Sequence, residues 1–273
     1  MVEFEIVDLV GISLVFLAGG IVKGCIGLGL PTIGIGLMAL WLPFEQAMGI
    51  LILPTVITNI WQAFFGSALF VVVRRLWVLL VGLLVGSLTT AILVVGANIT
   101  MASGLLGIML IIYAGLNLSG VRFSVPVKSE ATLNPIIGIS TGLITGATAF
   151  FVIPVVPYLQ SLDFGKASHN RKNKPVPGTC AVNETMMKDA LIQSFAVSVL
   201  VLTGGMTLGL EIRGALPVSI LLPGVVGTFA GLIGMIIGKT IRNRLSLEVF
   251  RRCILTALVG LGIVMVVRFV SSL

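Results

Sequence analysis

Apolar residues fall along this chain in blocks too long and too uniform to be the stripes of surface helices. Six such blocks, at 47–70, 76–95, 101–118, 189–210, 216–237 and 249–270, hold about the 20 mostly apolar residues that a helix needs to cross a bilayer core. Two further apolar stretches, 5–42 and 134–162, are interrupted. Each meets glycine or other small residues and then a proline: Gly24-Cys25-Ile26-Gly27-Leu28-Gly29-Leu30-Pro31 in one, Gly146-Ala147-Thr148-Ala149-Phe150-Phe151-Val152-Ile153-Pro154 in the other. The pattern predicts an all-α polytopic membrane protein.

Basic residues decide how often the interrupted stretches cross. If each crossed once, ten of the Lys and Arg residues between 166 and 252 would face outward and only six would face the cytoplasm. If each enters and leaves on one side, the count changes. Arg74, Arg75, Arg122, Lys128, the five from Lys166 to Lys188 and the five from Lys239 to Arg252 then share the cytoplasmic side. Only Arg213 and Arg268 fall outside, and Lys23 stays within the membrane. Cytoplasmic loops carry the Lys/Arg excess, so the second arrangement is expected, with both stretches folded as broken re-entrant hairpins.

The first half then begins outside and the second inside, as in an inverted repeat, an architecture of transporters. Residues 1–118 form the first repeat (hairpin 5–42 and three spans), 119–133 a cytoplasmic linker, and 134–273 the second (hairpin 134–162, polar loop 163–188 and three spans). Both termini are expected on the outer side. Faint internal similarity agrees: Gly20-Ile21-Val22-Lys23-Gly24 resembles Gly142-Leu143-Ile144-Thr145-Gly146, and a proline follows each. Legs 134–145 and 154–163 would rise only about 15–18 Å as helices, half of a bilayer core.

Composition closes off other classes. Of the 273 residues 57% are apolar and 10% charged, against about 25% charged in soluble chains, and mean hydropathy is +1.17. That excludes a water-soluble or disordered protein. Three cysteines give no disulfide framework. The net charge of +7 reads as loops oriented on a membrane, not as nucleic-acid binding. Met1-Val2-Glu3-Phe4-Glu5 is acidic where a cleaved export signal would be basic.

Candidate chemistry gathers at the two interruptions. Non-helical backbone at membrane depth is tolerated only where protein or a watery cavity satisfies it. Pro31 and Pro154 fit the first turn of a helix, so each hairpin would aim a helix N-terminus at the midplane, and two such ends facing each other suit an anion. Lys23 is a charged side chain in the middle of an apolar run, at a burial cost of about 2.5–3.5 kcal/mol on insertion scales. Thr55, Thr58, Asn59 and Gln62 share one face of the next span, with Gln193, Ser194 and Ser198 as counterparts in the second half. Helix-to-helix hydrogen bonding explains these polar residues equally well. The candidate substrate-binding set is Lys23, Gly24, Cys25, Gly27, Gly29, Pro31, Asn59, Gln62, Thr145, Gly146, Thr148, Pro154 and Gln193. Within it Cys25 reads more readily as a small packing residue.

Acidic residues other than Asp8 sit at span ends or in loops, and the one histidine, His169, is in a loop. A buried-carboxylate proton relay is therefore not expected, and the membrane potential is the simpler driving force for an anion moving outward. No HExxH or P-loop pattern occurs. No enzyme activity, metal or cofactor is expected.

The hairpins and the spans after them resemble the TauE/SafE sulfite exporter family of membrane transporters. The resemblance lies in Gly19-Gly20-Ile21-Val22-Lys23-Gly24-Cys25-Ile26-Gly27-Leu28-Gly29-Leu30-Pro31-Thr32, then Pro54 and Thr58-Asn59-Ile60-Trp61-Gln62. In the second half it lies in Phe151-Val152-Ile153-Pro154-Val155-Val156-Pro157-Tyr158-Leu159-Gln160 and Lys188-Asp189-Ala190-Leu191-Ile192-Gln193. It covers about the first third of each half. Polar segment 165–187 looks like an insertion relative to that family.

The resemblance implies export of small sulfur oxyanions or sulfonates, such as sulfite or sulfoacetate, across a bacterial inner membrane. Alternating access would come from rocking one half against the other. A passive anion channel and a non-transporting membrane scaffold are the alternatives. Expected partners are a small anion and the lipid bilayer; a homo-oligomer is left open by the sequence.

Overall fold

The computed structural model describes residues 4–27, 29–64, 67–94, 99–119, 125–126, 129–162, 164, 184–242 and 247–271. Among the described residues all regular structure is helical: α1 (Ile6–Ile26), α2 (Leu30–Met38), α3 (Phe44–Phe64), α4 (Leu69–Val94), α5 (Ile99–Leu118), α6 (Glu130–Thr148), α7 (Val155–Ser161), α8 (Glu184–Ile212), α9 (Leu221–Arg242) and α10 (Leu247–Ser271). A 3-10 turn, Val218–Ile220, leads into α9. Five segments among the described residues are long and apolar enough to cross a membrane: Ile6–Cys25, Phe44–Phe64, Leu69–Leu93, Asp189–Ile212 and Val218–Ile241. Helices α5 and α10 supply the shorter apolar stretches Gly104–Leu118 and Leu255–Ser271.

Both interrupted stretches fold as helical hairpins. Helix α1 stops where Gly27 turns left-handed (φ 89°) and donates its N–H to the Lys23 carbonyl at 2.7 Å. Gly29 follows at φ 123°, a second position that suits a residue without Cβ, and α2 starts at once. The chain then runs back along itself. Gly29 lies against Val22, Leu30 against Gly19, and Trp41 against Gly11.

In the second hairpin Ala149 closes α6 in the left-handed region (φ 50°). The Thr145 hydroxyl donates to the Phe150 carbonyl (3.0 Å), and the Phe150 N–H donates to Thr148 Oγ1 (3.2 Å). Pro154, after a cis peptide bond, is the N-cap of α7. The return is marked by the Tyr158 hydroxyl, which donates to Asn134 Oδ1 at 2.7 Å.

The leading leg of the second hairpin is longer than the half-depth helix expected from the sequence. With 21 and 19 residues, α1 and α6 rise about 31 and 28 Å, while α2 and α7 rise only about 13 and 10 Å. Of the glycines read as breaks, Gly24 and Gly146 lie inside the helices, where their missing Cβ atoms are used for packing. Gly20 and Gly24 of α1 press on the backbone of α9 at Gly231 and Met235, and Gly234 and Gly238 of α9 press back on Leu17 and Ile21. Gly138, Gly142 and Gly146 of α6 meet the backbone of α4 at Leu79, Leu83 and Ser87 in the same way. Lipid supplies no hydrophobic drive between helices, so such close backbone contact is a main source of association.

The remaining contacts follow one scheme. Helix α3 packs on α8 and α9, α8 packs on α4 as well as α3, and α5 packs on α10. Two boundaries differ from the expected spans. The span placed at 47–70 ends at Phe64, and α4 already begins at Leu69, so Arg74 and Arg75 are helical residues, not loop. Of polar segment 165–187, residues 184–187 open α8, and 165–183, with His169 and Cys180, lie outside the described residues.

That shift brings Arg75 to the base of the second hairpin. Its Nε and Nη2 donate to the two carboxylate oxygens of Glu130 at 3.0 and 2.6 Å, beneath the ring of Phe164. The fork is mostly buried, so removing one partner strands the other charge. Arg75→Ala or Glu130→Ala alone should each lower unfolding stability in detergent by about 2–4 kcal/mol, and Arg75→Met with Glu130→Leu should recover most of it. A double-variant loss equal to the sum of the two single losses would show that the pairing itself contributes nothing.

Candidate functional site

Where the two hairpins come together there is a narrow, water-sized pocket of about 10 Å³. It is lined by Lys23, Gly27, Gly29, Pro31 and Thr32 of the first hairpin, Asn59 of α3, Phe151 and Val152 of the second hairpin's loop, and Val199 of α8. No carboxylate is among these residues. The two backbone-exposing glycines and the start of α2 make one wall, and the apolar Phe151, Val152 and Val199 make another.

Lys23 enters this pocket from the last turn of α1 and is 2% exposed. Its Nζ donates to Thr58 Oγ1 at 3.0 Å. The Thr58 hydroxyl in turn donates to the Pro54 carbonyl at 2.7 Å, which leaves its oxygen lone pairs for the ammonium. Pro54 inside α3 removes one helical N–H donor, and its own carbonyl is taken by this side chain. An ammonium with a neutral hydroxyl as partner keeps an excess positive charge in a dry setting. Among the described residues no acidic side chain forms an ion pair with it.

The polar face of α3 turns toward the same break. Asn59 Nδ2 donates to the Thr55 carbonyl at 2.7 Å, which fixes the amide at the pocket wall. Gln62 Nε2 reaches the Gly27 carbonyl at 3.4 Å, one turn further along.

A family model for sulfite exporter TauE/SafE matches residues 12–172. That is more than half of the 273-residue chain and takes in the second hairpin, the first from residue 12 onward, and every pocket residue except Val199. The chain belongs to the TauE/SafE sulfite exporter family. It is a membrane protein, with apolar helices able to span a bilayer. Searches of the curated proteins and of the solved structures found no match.

Five of the thirteen candidate site residues expected from the sequence meet in the pocket: Lys23, Gly27, Gly29, Pro31 and Asn59. The others have different surroundings. Gly24 and Gly146 are helix-packing glycines, against Met235 and Ser87. Cys25 faces α9, where its Sγ donates to the Gly238 carbonyl at 3.1 Å. Thr145 and Thr148 hold the turn after α6, and Pro154 caps α7 beyond the pocket-lining residues of the second loop. Gln193 accepts from the Ala68 N–H (2.8 Å) and donates to the Ala63 carbonyl (2.7 Å), so it pins the connection between α3 and α4.

The pocket is therefore not built from two facing helix ends. The first hairpin supplies the start of α2; the second supplies its loop at Phe151 and Val152, and the start of the seven-residue α7 does not line it. Sequence reasoning missed Thr32, Phe151, Val152 and Val199 as lining residues. Thr32 had a signal, a hydroxyl in the first turn directly after Pro31. Val199 had none, being one more apolar residue on an apolar helix.

Proposed function

We propose that this TauE/SafE member exports small sulfur-containing anions, sulfite or sulfonates, out of a bacterial cytoplasm by alternating access around the pocket at Lys23. The observation that carries the reading is a buried ammonium, held by a neutral hydroxyl, at the meeting point of the two hairpins. A buried cation without a carboxylate favours an anion arriving to neutralise it. The glycines beside it let the ligand approach the backbone, and the start of α2 adds the partial positive charge of a helix N-terminus.

Support for an inverted repeat comes from the packing. Exchanging α1 with α6, α3 with α8, α4 with α9 and α5 with α10 turns the main helix contacts into one another. Even the residues correspond: Gly20 and Gly24 lie on Gly231 and Met235 as Gly142 and Gly146 lie on Leu83 and Ser87. On this reading the repeats are 1–118 and 134–273, the hairpins are re-entrant, and the basic loops and the linker 119–133 face the cytoplasm. Both termini are then outside. The moving units are not the two halves as such. Because α1 is closely packed on α9 and α6 on α4, each hairpin moves with a helix of the opposite repeat. Outward movement of the anion is driven by the membrane potential.

Counterflow of labelled sulfite in proteoliposomes tests the function. Uptake that saturates and is accelerated by unlabelled sulfite or sulfonate inside is expected. Uptake that rises linearly with concentration would mean a channel, and no uptake of any anion by folded protein would leave a scaffold role.

A further inference from the structure

We propose that Thr32 is a direct ligand of the transported anion, donating its hydroxyl to one anion oxygen across the pocket wall from Lys23. The inference rests on the anion site proposed above and adds to it a residue for recognition. Thr32 is 2% exposed, lines the pocket, and its Oγ1 has no hydrogen-bond partner. A buried hydroxyl left without a partner is costly, so its persistence calls for a partner that comes and goes.

Position strengthens the assignment. Thr32 is in the first turn of the nine-residue α2, where the leading N–H groups have no intrahelical acceptor. The next residue, Ile33, is already bonded, its N–H donating to the Gly29 carbonyl at 2.9 Å. Of the other hydroxyls nearby, Thr58 serves Lys23 and Pro54, Thr145 and Thr148 serve the second turn, and Thr55 and Ser198, buried without a partner, do not line the pocket. Thr32 alone among the pocket-lining side chains brings a hydroxyl, and it is unengaged. A ligand held by one ammonium, one hydroxyl and helix-end amides is a compact oxyanion with at least two acceptor oxygens. The sulfonate and sulfite head groups have this form.

The test compares wild type, Thr32→Val, Thr32→Ser and Lys23→Ala in sulfite counterflow and in thermal unfolding with and without sulfite. Thr32→Val keeps the shape and removes the donor. It should weaken half-saturation for sulfite by about ten- to hundredfold and shrink the sulfite-induced rise in Tm, while the ligand-free Tm stays level or rises. Thr32→Ser should restore most of the affinity. Unchanged half-saturation in Thr32→Val, or a lowered ligand-free Tm, would overturn the assignment, the second because the hydroxyl would then be structural. If Thr32→Val is unchanged while Lys23→Ala fails, the anion site stands without Thr32. If wild type shows neither saturable uptake nor a Tm shift with sulfite or a sulfonate, the proposed function falls and the ligand role falls with it.

Discussion

Replacing Lys23 with alanine should abolish saturable sulfite uptake and leave the protein folded. The ammonium is the one formal positive charge lining the pocket, and no carboxylate beside it needs it for balance. Removing one partner of a buried charge pair typically costs about 3–5 kcal/mol, which weakens binding by roughly two to four orders of magnitude. In the absence of anion the sign is reversed. Wild type buries an ammonium against a single neutral hydroxyl, so Lys23→Ala should melt at the same temperature or higher. Counterflow together with thermal unfolding in detergent reads both effects. Intact uptake in the variant would remove Lys23 from the site, and a large drop in Tm would make it a structural residue.

The largest loss of folded protein should come from a single methyl group. A Cβ at Gly142 would lie 2.6 Å from the Leu83 carbonyl oxygen, 2.7 Å from the Ser87 nitrogen and 2.8 Å from the Gly86 Cα. All three are backbone atoms, so no side chain can swing aside, and α6 must separate from α4. Overpacking commonly costs about 1–3 kcal/mol, and here it opens a whole helix pair, so Gly142→Ala should cost about 3 kcal/mol or more. Gly204→Ala is the control. Nothing lies within 4 Å of its added Cβ, and helix propensity alone should stabilise it by about 0.5–1 kcal/mol. Yield of monodisperse protein and unfolding midpoints in detergent distinguish the two. Equal behaviour of both variants would mean that the α4–α6 contact is not tight in the membrane protein.

What could be read in advance follows from which physical signal each feature leaves. Long apolar blocks and a lysine within one of them are legible from composition alone, and so the helices and Lys23 were expected. Gly27 and Gly29 sit in a pattern that ends in Pro31, and they form the turn as expected. Gly24 and Gly146 are a different case. A glycine that breaks a helix and one that lets two helices touch look the same in one chain, and only the neighbour, Met235 or Ser87, tells them apart. Gln193 was ambiguous for a similar reason, since its partners at Ala63 and Ala68 are 130 and 125 residues away. Arg75 was placed in a loop because a charge near a span end reads that way. The structure extends α4 over it because Glu130 supplies a matching fork.

The close packing of α1 on α9 also bears on how the chain is made. Synthesis reaches α4 before α6, so the second hairpin emerges with its partner already in the bilayer. The first hairpin has no such luck. Gly20 and Gly24 must wait for Gly231 and Met235, about 210 residues later, which at roughly 5–20 residues per second is on the order of 10–40 s. Through that interval the glycine face of α1 lies uncovered in the bilayer or in the insertion machinery. The segment inserted first waits longest for its partner, and a nascent chain cut short before α9 would present that bare face to quality control.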